Sequence, residues 1–171
     1  MQLIPSTEKD YPAIIELANL AYRGAEGWNS ERGYITGTRL TDDLLRQEFI
    51  RAPHAHLLVW RESPEASIIG TVWLEPKSEN TWYLGLLTVL PNLQDQGIGR
   101  ALLAASEQYA KAHGATRIRM TVVNVRHALL AWYLRRGYAL TGEQEPFPSG
   151  DERFGKSLRD DLHFVILEKE I

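Results

Sequence analysis

The run Leu86-Leu87-Thr88-Val89-Leu90-Pro91-Asn92-Leu93-Gln94-Asp95-Gln96-Gly97-Ile98-Gly99-Arg100-Ala101-Leu102-Leu103 decides the fold class. It opens as an apolar, strand-like stretch and stops at Pro91, which has no N–H to give to a sheet ladder. A polar loop then reaches Gly97 and Gly99 as a helix begins. Glycines let the backbone approach a ligand closely, and the free N–H groups and positive dipole end of a helix start favour an anion. A pyrophosphate fits that turn without any lysine. Taken alone, residues 94–100 also read as an ordinary helix-start turn. A dinucleotide fingerprint requires glycine or alanine at 102, where Leu102 stands. A literal P-loop string, Gly150-Asp151-Glu152-Arg153-Phe154-Gly155-Lys156-Ser157, reads as accidental. It follows Glu145-Pro146-Phe147-Pro148-Ser149 rather than a buried strand, and it leads toward Asp160-Asp161 and a strand rather than a helix.

Upstream of the loop lie three strand-like runs, Leu57–Arg61, Ile68–Glu75 and Trp82–Val89, with turns at Pro64 and across Pro76–Asn80. Before them, a short strand at Leu3–Pro5 leads into Ser6-Thr7-Glu8-Lys9, a helix-start signal. Ile14, Ile15, Leu17, Ala18 and Ala21 then form an apolar helical face. From Tyr22 to Leu40 the chain is polar and glycine-rich, a long loop of the kind that is often functional or mobile. Thr41-Asp42-Asp43 caps a second helix that reaches about Arg51. Downstream, a helix from about Gly99 to His113 ends on Gly114. Ile118, Met120 and Val122 alternate with polar neighbours as in a half-buried strand. A helix from about Val125 to Arg136 and strands at Tyr138–Thr141 and His163–Glu168 complete the chain. Strands outnumber helices, and hairpins mix with crossovers. The expectation is one α/β domain spanning residues 1–171, with a mixed, largely antiparallel sheet of about seven strands flanked by about four helices.

Composition narrows the function. The 171 residues carry a net charge of −3 with no block of like charge, which argues against nucleic-acid binding because that needs a basic surface. The absence of cysteine removes disulfides, thiolate nucleophiles and cysteine zinc sites together, and fits a reducing compartment. His54, His56, His113, His127 and His163 show no metal-ligand spacing, so no metal is expected. No apolar run approaches the ~18 residues of a membrane span. Met1-Gln2-Leu3-Ile4-Pro5 and the residues after it show no basic and then apolar signal, so a cytoplasmic location is expected.

Gln94-x-x-Gly97-x-Gly99, behind a strand ending Val89-x-Pro91, resembles the coenzyme A pyrophosphate loop of the GNAT acetyltransferase superfamily, whose pattern is arginine or glutamine, two residues, glycine, one residue, then glycine or alanine. The order of elements from Leu3 to Glu168 is similar to that fold as well. The resemblance implies acetyl-CoA as acyl donor. Backbone amides of Gln94, Asp95, Gln96, Gly97, Ile98, Gly99 and Arg100 would hold its pyrophosphate, and main-chain groups of Leu87 and Val89 would pair with its pantetheine arm. Tyr133, Gly137 and Tyr138 match the second hallmark, a helix tyrosine followed by glycine and an aromatic residue. The family asparagine about seven residues before that tyrosine is replaced by Arg126, and Asn124 stands near it. Each has a plainer reading too: Asn124 as a helix cap, Gly137 as a C-cap, Tyr133 as a core aromatic.

The resemblance further implies direct attack of a neutral amine on the thioester. It assigns the oxyanion donor to a bulge-freed N–H at Val89 and stabilisation of the leaving thiolate to Tyr133. Glu75 is the first choice for the base, with Glu31 and Tyr83 as others. In the family the acceptor lies near loops corresponding to Tyr22–Leu40 and Glu143–Asp161, which offer Trp28, Glu31, Tyr34, Glu143, Glu145, Phe147 and Asp151. That acidic and aromatic lining suits a cationic amine. Three functions stay open: a small-molecule N-acetyltransferase, the same chemistry on a protein N-terminus, lysine or charged tRNA, and a non-catalytic acyl-CoA-binding module. A homodimer stays open too.

Overall fold

The computed structural model describes residues 1–171 except Asn29, Ser149, Glu152 and Arg153. Among the described residues the elements run β1 (Gln2–Pro5), α1 (Tyr11–Arg23), β2 (Ile35–Thr36), α2 (Asp42–Arg51), β3 (His56–Arg61), β4 (Gly70–Pro76), β5 (Thr81–Val89), α3 (Ile98–Ala112), β6 (Arg117–Val123), α4 (His127–Leu134), β7 (Ala139–Pro146), β8 (Lys156–Ser157) and β9 (His163–Glu170).

Local chemistry accounts for the helices. In α1, Pro12 sits in the first turn, where its missing N–H costs nothing, and Ile14, Leu17, Ala18 and Ala21 recur on one buried face. The Thr41 hydroxyl accepts the Leu44 N–H at 3.2 Å and starts α2. In α3, Leu102, Leu103, Ser106 and Ala110 are buried. These helices cover both faces of a seven-stranded sheet ordered β1-β3-β4-β5-β6-β9-β7. One apolar layer joins Leu58, Leu74, Leu84 and Ile118 to Leu102 and Leu103 of α3 and Leu129 and Tyr133 of α4. The other joins Val59 and Trp73 to Ile14 and Ala18 of α1 and Leu45 of α2.

Every neighbouring pair in that sheet is antiparallel except β5 and β6, which α3 connects as parallel strands. They pair only at Thr81↔Arg117, Trp82↔Ile118 and Tyr83↔Arg119. Beyond Tyr83 the two strands diverge and leave a wedge in the middle of the sheet.

The expected seven strands and four helices are present, with three differences. A two-stranded ladder, Ile35↔Ser157 and Thr36↔Lys156, ties together two segments read as loop. Two-residue strands carry no period, so they leave no mark in the sequence. Strand β7 continues past Thr141 to Pro146 through a register shift between Leu140 and Gln144, where Gly142 takes a φ of 87°. Finally, α4 begins at His127 rather than Val125. The P-loop-like string gives no P-loop: Lys156 and Ser157 form β8, while Glu152 and Arg153 lie outside the described residues.

Candidate active site

The wedge is sharpened by a bulge. Thr71 pairs with Thr88 and Trp73 with Gly85, so Val72 faces two residues, Leu86 and Leu87. Leu86 has a φ of 52°, in the left-handed region. That conformation costs an ordinary side chain about 1–2 kcal/mol, and such outliers concentrate at functional sites. The extra residue also flips the alternation of the strand. Trp82 and Leu84 face the α3 layer, Leu86 turns to the opposite layer with Trp73, and Leu87 and Val89 return to the α3 side. Leu90 donates its N–H to the Ile69 carbonyl on the β4 side at 3.0 Å. Backbone groups alternate sides along a strand, so the N–H groups of Val89 and Leu87 point the other way, into the wedge beside β6.

Three cavities run through this region as one path. The first, about 540 Å³, lies over the start of α3 and is lined by Trp28, Val89, Gln94, Gly97, Arg100 and Trp132, among others. Asp95 and Gly97 take positive φ values of 64° and 78°, and the N-cap of α3 is Gly97, which has no side chain to cap the first turn. The first-turn amides are therefore left to serve an anion. A Cβ on Gly97 would meet nothing within 4 Å, so this corner opens to whatever occupies the cavity. Arg100, Arg135 and Arg136 also line it, and among the described residues no carboxylate is paired with them.

A small middle cavity, about 70 Å³, is lined by both lips of the wedge, Leu84–Leu87 and Met120–Val123. It shares Leu87, Leu129 and Tyr133 with the first cavity. Tyr133 is 6% exposed, and burial pushes its phenol well above the ordinary range. The third cavity, about 520 Å³, shares Tyr83, Gly85, Leu86, Thr121, Phe154 and others with the middle one. Tyr83 lies across Gly85, where a Cβ would come within 2.8 Å of the ring. Its hydroxyl is 3.2 Å from that of Thr121 across the wedge. Burial raises this phenol too, against the opposing effect of that hydrogen bond.

The loop from Gly24 to Leu40 is pinned over this path. The Asn19 amide accepts from the N–H groups of Arg39 and Leu40 and donates to the carbonyls of Ile15 and Leu40. The Arg23 guanidinium donates to the carbonyls of Gly37 and Phe154 and pairs with Glu31. On the other side of the path, Phe147, Phe154 and Phe164 pack ring against ring.

The structure brings Leu87, Val89, Gln94, Asp95, Gly97, Gly99, Arg100 and Tyr133 to one cavity. Gln96 and Ile98 lie outside its lining, and the Ile98 side chain packs on the core. Glu145 lines the third cavity from the exposed strand β7, and Phe147 lines the middle one. Five expectations need correction. The bulge lies at Leu86–Leu87, not at Val89, which is back in register opposite Gly70. Trp28 lies with Gln94, whose side-chain oxygen accepts its N–H at 3.2 Å, on the α3 side of the path rather than with the acceptor loops. Glu31 is no free carboxylate: Arg126 reaches it at 3.0 Å and Arg23 holds its other oxygen. Asn124 neither caps α4 nor lines the first cavity. Its amide donates to the Asp161 carbonyl and accepts the His163 N–H, each at 3.1 Å, and so holds the start of β9. Glu75 binds Arg51, Lys77 and the Trp73 indole N–H. Burial alone would raise its carboxyl, but these hydrogen bonds outweigh burial and hold it below the ordinary range.

Arg100 was expected to contribute its backbone amide alone, and Arg135 and Arg136 were not among the expected site residues. Their spacing past the anion loop and past Tyr133 was the available signal. An uncapped helix start, a wedge with strand amides facing in and unmatched arginines together fit a long phosphorylated thioester lying along the path.

Comparisons with known proteins agree with that fit. The sequence profile of the acetyltransferase (GNAT) family matches residues 12–138. No curated protein sequence matches the chain. Among solved structures, the chain is similar to a GNAT family acetyltransferase from Elizabethkingia anophelis with acetyl-CoA bound (18% identity over 99% of this chain and 97% of that one, TM-score 0.66). It is similar to the ribosomal-protein-S18-alanine N-acetyltransferase of Escherichia coli (16% identity, 99% and 93% covered, TM-score 0.69). A nourseothricin acetyltransferase shares the fold as well (17% identity, 99% and 97% covered, TM-score 0.66). With its profile matched over most of its length, this chain belongs to the GNAT family and is an acetyl-CoA-dependent acyltransferase.

Proposed function

We propose that this acetyltransferase acts on a primary amine carried by a small molecule. The observation that carries the reading is the size of the cavity at the acceptor end of the path. The β2–β8 ladder joins the loop after α1 to the segment before β9, and Arg39, Phe154 and Phe164 line both the middle and the third cavity. A folded protein chain presenting its N-terminus needs an open groove, whereas a cavity of about 520 Å³ suits a compact ligand.

When bound, acetyl-CoA supplies an activated acetyl thioester. The first-turn amides of α3 and the glycines at 97 and 99 hold its pyrophosphate, and the Leu87 and Val89 main chain faces its arm. Leu87 and Tyr133 stand where the first two cavities meet, which makes this the reacting end. The Leu87 N–H, beside the bulge, is the oxyanion donor in place of Val89. One preplaced donor of this kind is worth about 10²–10³ in kcat. Tyr133 donates a hydrogen bond to the departing sulfur. An unshifted phenol at about pKa 10 already loses proton-transfer contests to a thiol at about 8.5, and burial raises Tyr133 further. It therefore acts by hydrogen bonding rather than by complete proton release. Because Glu75 is held as a charged anchor, the amine gives its proton to solvent water in the acceptor cavity.

The test is release of free thiol from acetyl-CoA across a panel of small amines and N-terminal peptides, with coenzyme binding measured separately. Turnover of small amines supports the reading. Turnover of peptides alone would replace it with protein N-acetylation, and binding without turnover would leave an acyl-CoA-binding module.

A further inference from the structure

At the far end of the coenzyme cavity the α4 C-terminus and the start of α3 bring three cations together. Arg136 stacks on the Trp132 ring, its guanidinium carbon 3.6 Å from the ring centroid, and donates to the Trp132 carbonyl at 2.7 Å. Its Nε is buried and has no hydrogen-bond partner among the described residues. Trp132 in turn stands 3.6 Å from where a Cβ on Gly99 would lie, so the stack continues directly from the anion loop. Arg100 and Arg135 line the same cavity. Burial, and then the nearby charges of Arg135 and Arg100, depress Arg136, which places the three within electrostatic reach of one another. The remaining charge on the lining is Asp95, which pairs with none of them. Mutually repelling arginines without carboxylates are what a multiply charged anion relieves. The main-chain turn at residues 94–100 already serves a pyrophosphate, so the trio is in excess of that need.

We infer that Arg100, Arg135 and Arg136, on the Trp132 shelf, form a second anion subsite for the phosphate monoester on the ribose of the coenzyme. The enzyme then reads the 3′-phosphate, not the thioester arm alone, and separates coenzyme A from its 3′-dephospho form. This inference rests on the coenzyme cavity assigned above.

Calorimetric titration with coenzyme A and with 3′-dephospho-coenzyme A tests it on the wild type, on Arg136→Gln and on the surface double variant Arg100→Gln/Arg135→Gln, with melting curves to show that each variant is folded. The wild type should bind coenzyme A at least tenfold more tightly than the dephospho form, by a margin that shrinks with added salt. In the double variant the ratio should fall below about threefold. Equal affinities in the wild type, or an unchanged ratio in both variants, would overturn the subsite while leaving the coenzyme cavity in place. Binding of neither form would remove the cavity assignment itself.

Discussion

The two ends of the path are built from different materials. The end proposed for the coenzyme is made largely of main chain: the N–H groups of a strand released by a bulge and the amides of an uncapped helix start. The end proposed for the acceptor is made of side chains drawn from distant segments, joined by the Arg23–Glu31–Arg126 cluster, the Asn19 hydrogen bonds and three phenylalanines. Main-chain groups are chemically the same in every sequence, so a site made from them depends on glycines and a turn and tolerates change in its side chains. A site made from side chains changes with each substitution. One fold can thereby keep its donor while its acceptor varies, as the named acceptors of similar structures, a ribosomal protein and nourseothricin, illustrate.

The largest effect that this contrast predicts is on stability at Glu31. Its side chain and that of Arg126 are each 7% exposed, and Arg23 is 11% exposed. Removing the carboxylate that two buried arginines share costs about 3–5 kcal/mol. Glu31→Gln should therefore lower the melting temperature by roughly 6–20 °C. By contrast Gln94→Ala, which loses one exposed hydrogen bond to Trp28, should cost less than about 1 kcal/mol. Equal losses at the two sites in thermal melts would break the distinction.

Next comes Tyr133, where the two ends meet. Tyr133→Phe should lower kcat at least tenfold, about 1.4 kcal/mol, with little change in coenzyme affinity, because the ring keeps its packing against Trp132 and Tyr138. Single-turnover kinetics decide whether the loss lies in the chemical step. An unchanged rate there removes the phenol from the mechanism.

The same contrast governs what the sequence could reveal. Gly97, at positive φ, and Gly99 mark the anion turn in one short run, and Gln94 completes the pattern that resembles the family's loop. The strand alternation and helical faces likewise fixed seven strands and four helices in order. The bulge was displaced by two residues because Leu86 is an ordinary leucine held in the left-handed region by its surroundings, with no local mark. The roles of Glu31 and Glu75 were unreadable for another reason. Arg126 lies 95 positions from Glu31 and Arg51 lies 24 positions from Glu75, and only folding shows that these carboxylates are already matched. Asn124 was in the right neighbourhood for a ligand contact, but its partners Asp161 and His163 arrive from the start of β9 and the turn before it, 37 to 39 residues later.

Glu75 provides the finest discrimination, because the expected outcome in the pH–rate profile is no change. A general base would leave its ionisation in the pH–rate profile, and Glu75→Gln would erase that limb. A carboxylate held low by Lys77, Arg51 and Trp73 is ionised throughout the working range, so the variant should keep the apparent pKa values of the profile and alter only acceptor KM. Its signature belongs to stability instead. The folded pKa lies below the unfolded value of about 4.3, so the native state gains from Glu75 above that value. The gain disappears as pH falls through the folded pKa. Denaturant unfolding should show wild type more stable than Glu75→Gln at pH 7, with the gap closing below about pH 4. A gap that widens toward acid would reverse the sign of the shift and restore Glu75 as a proton acceptor.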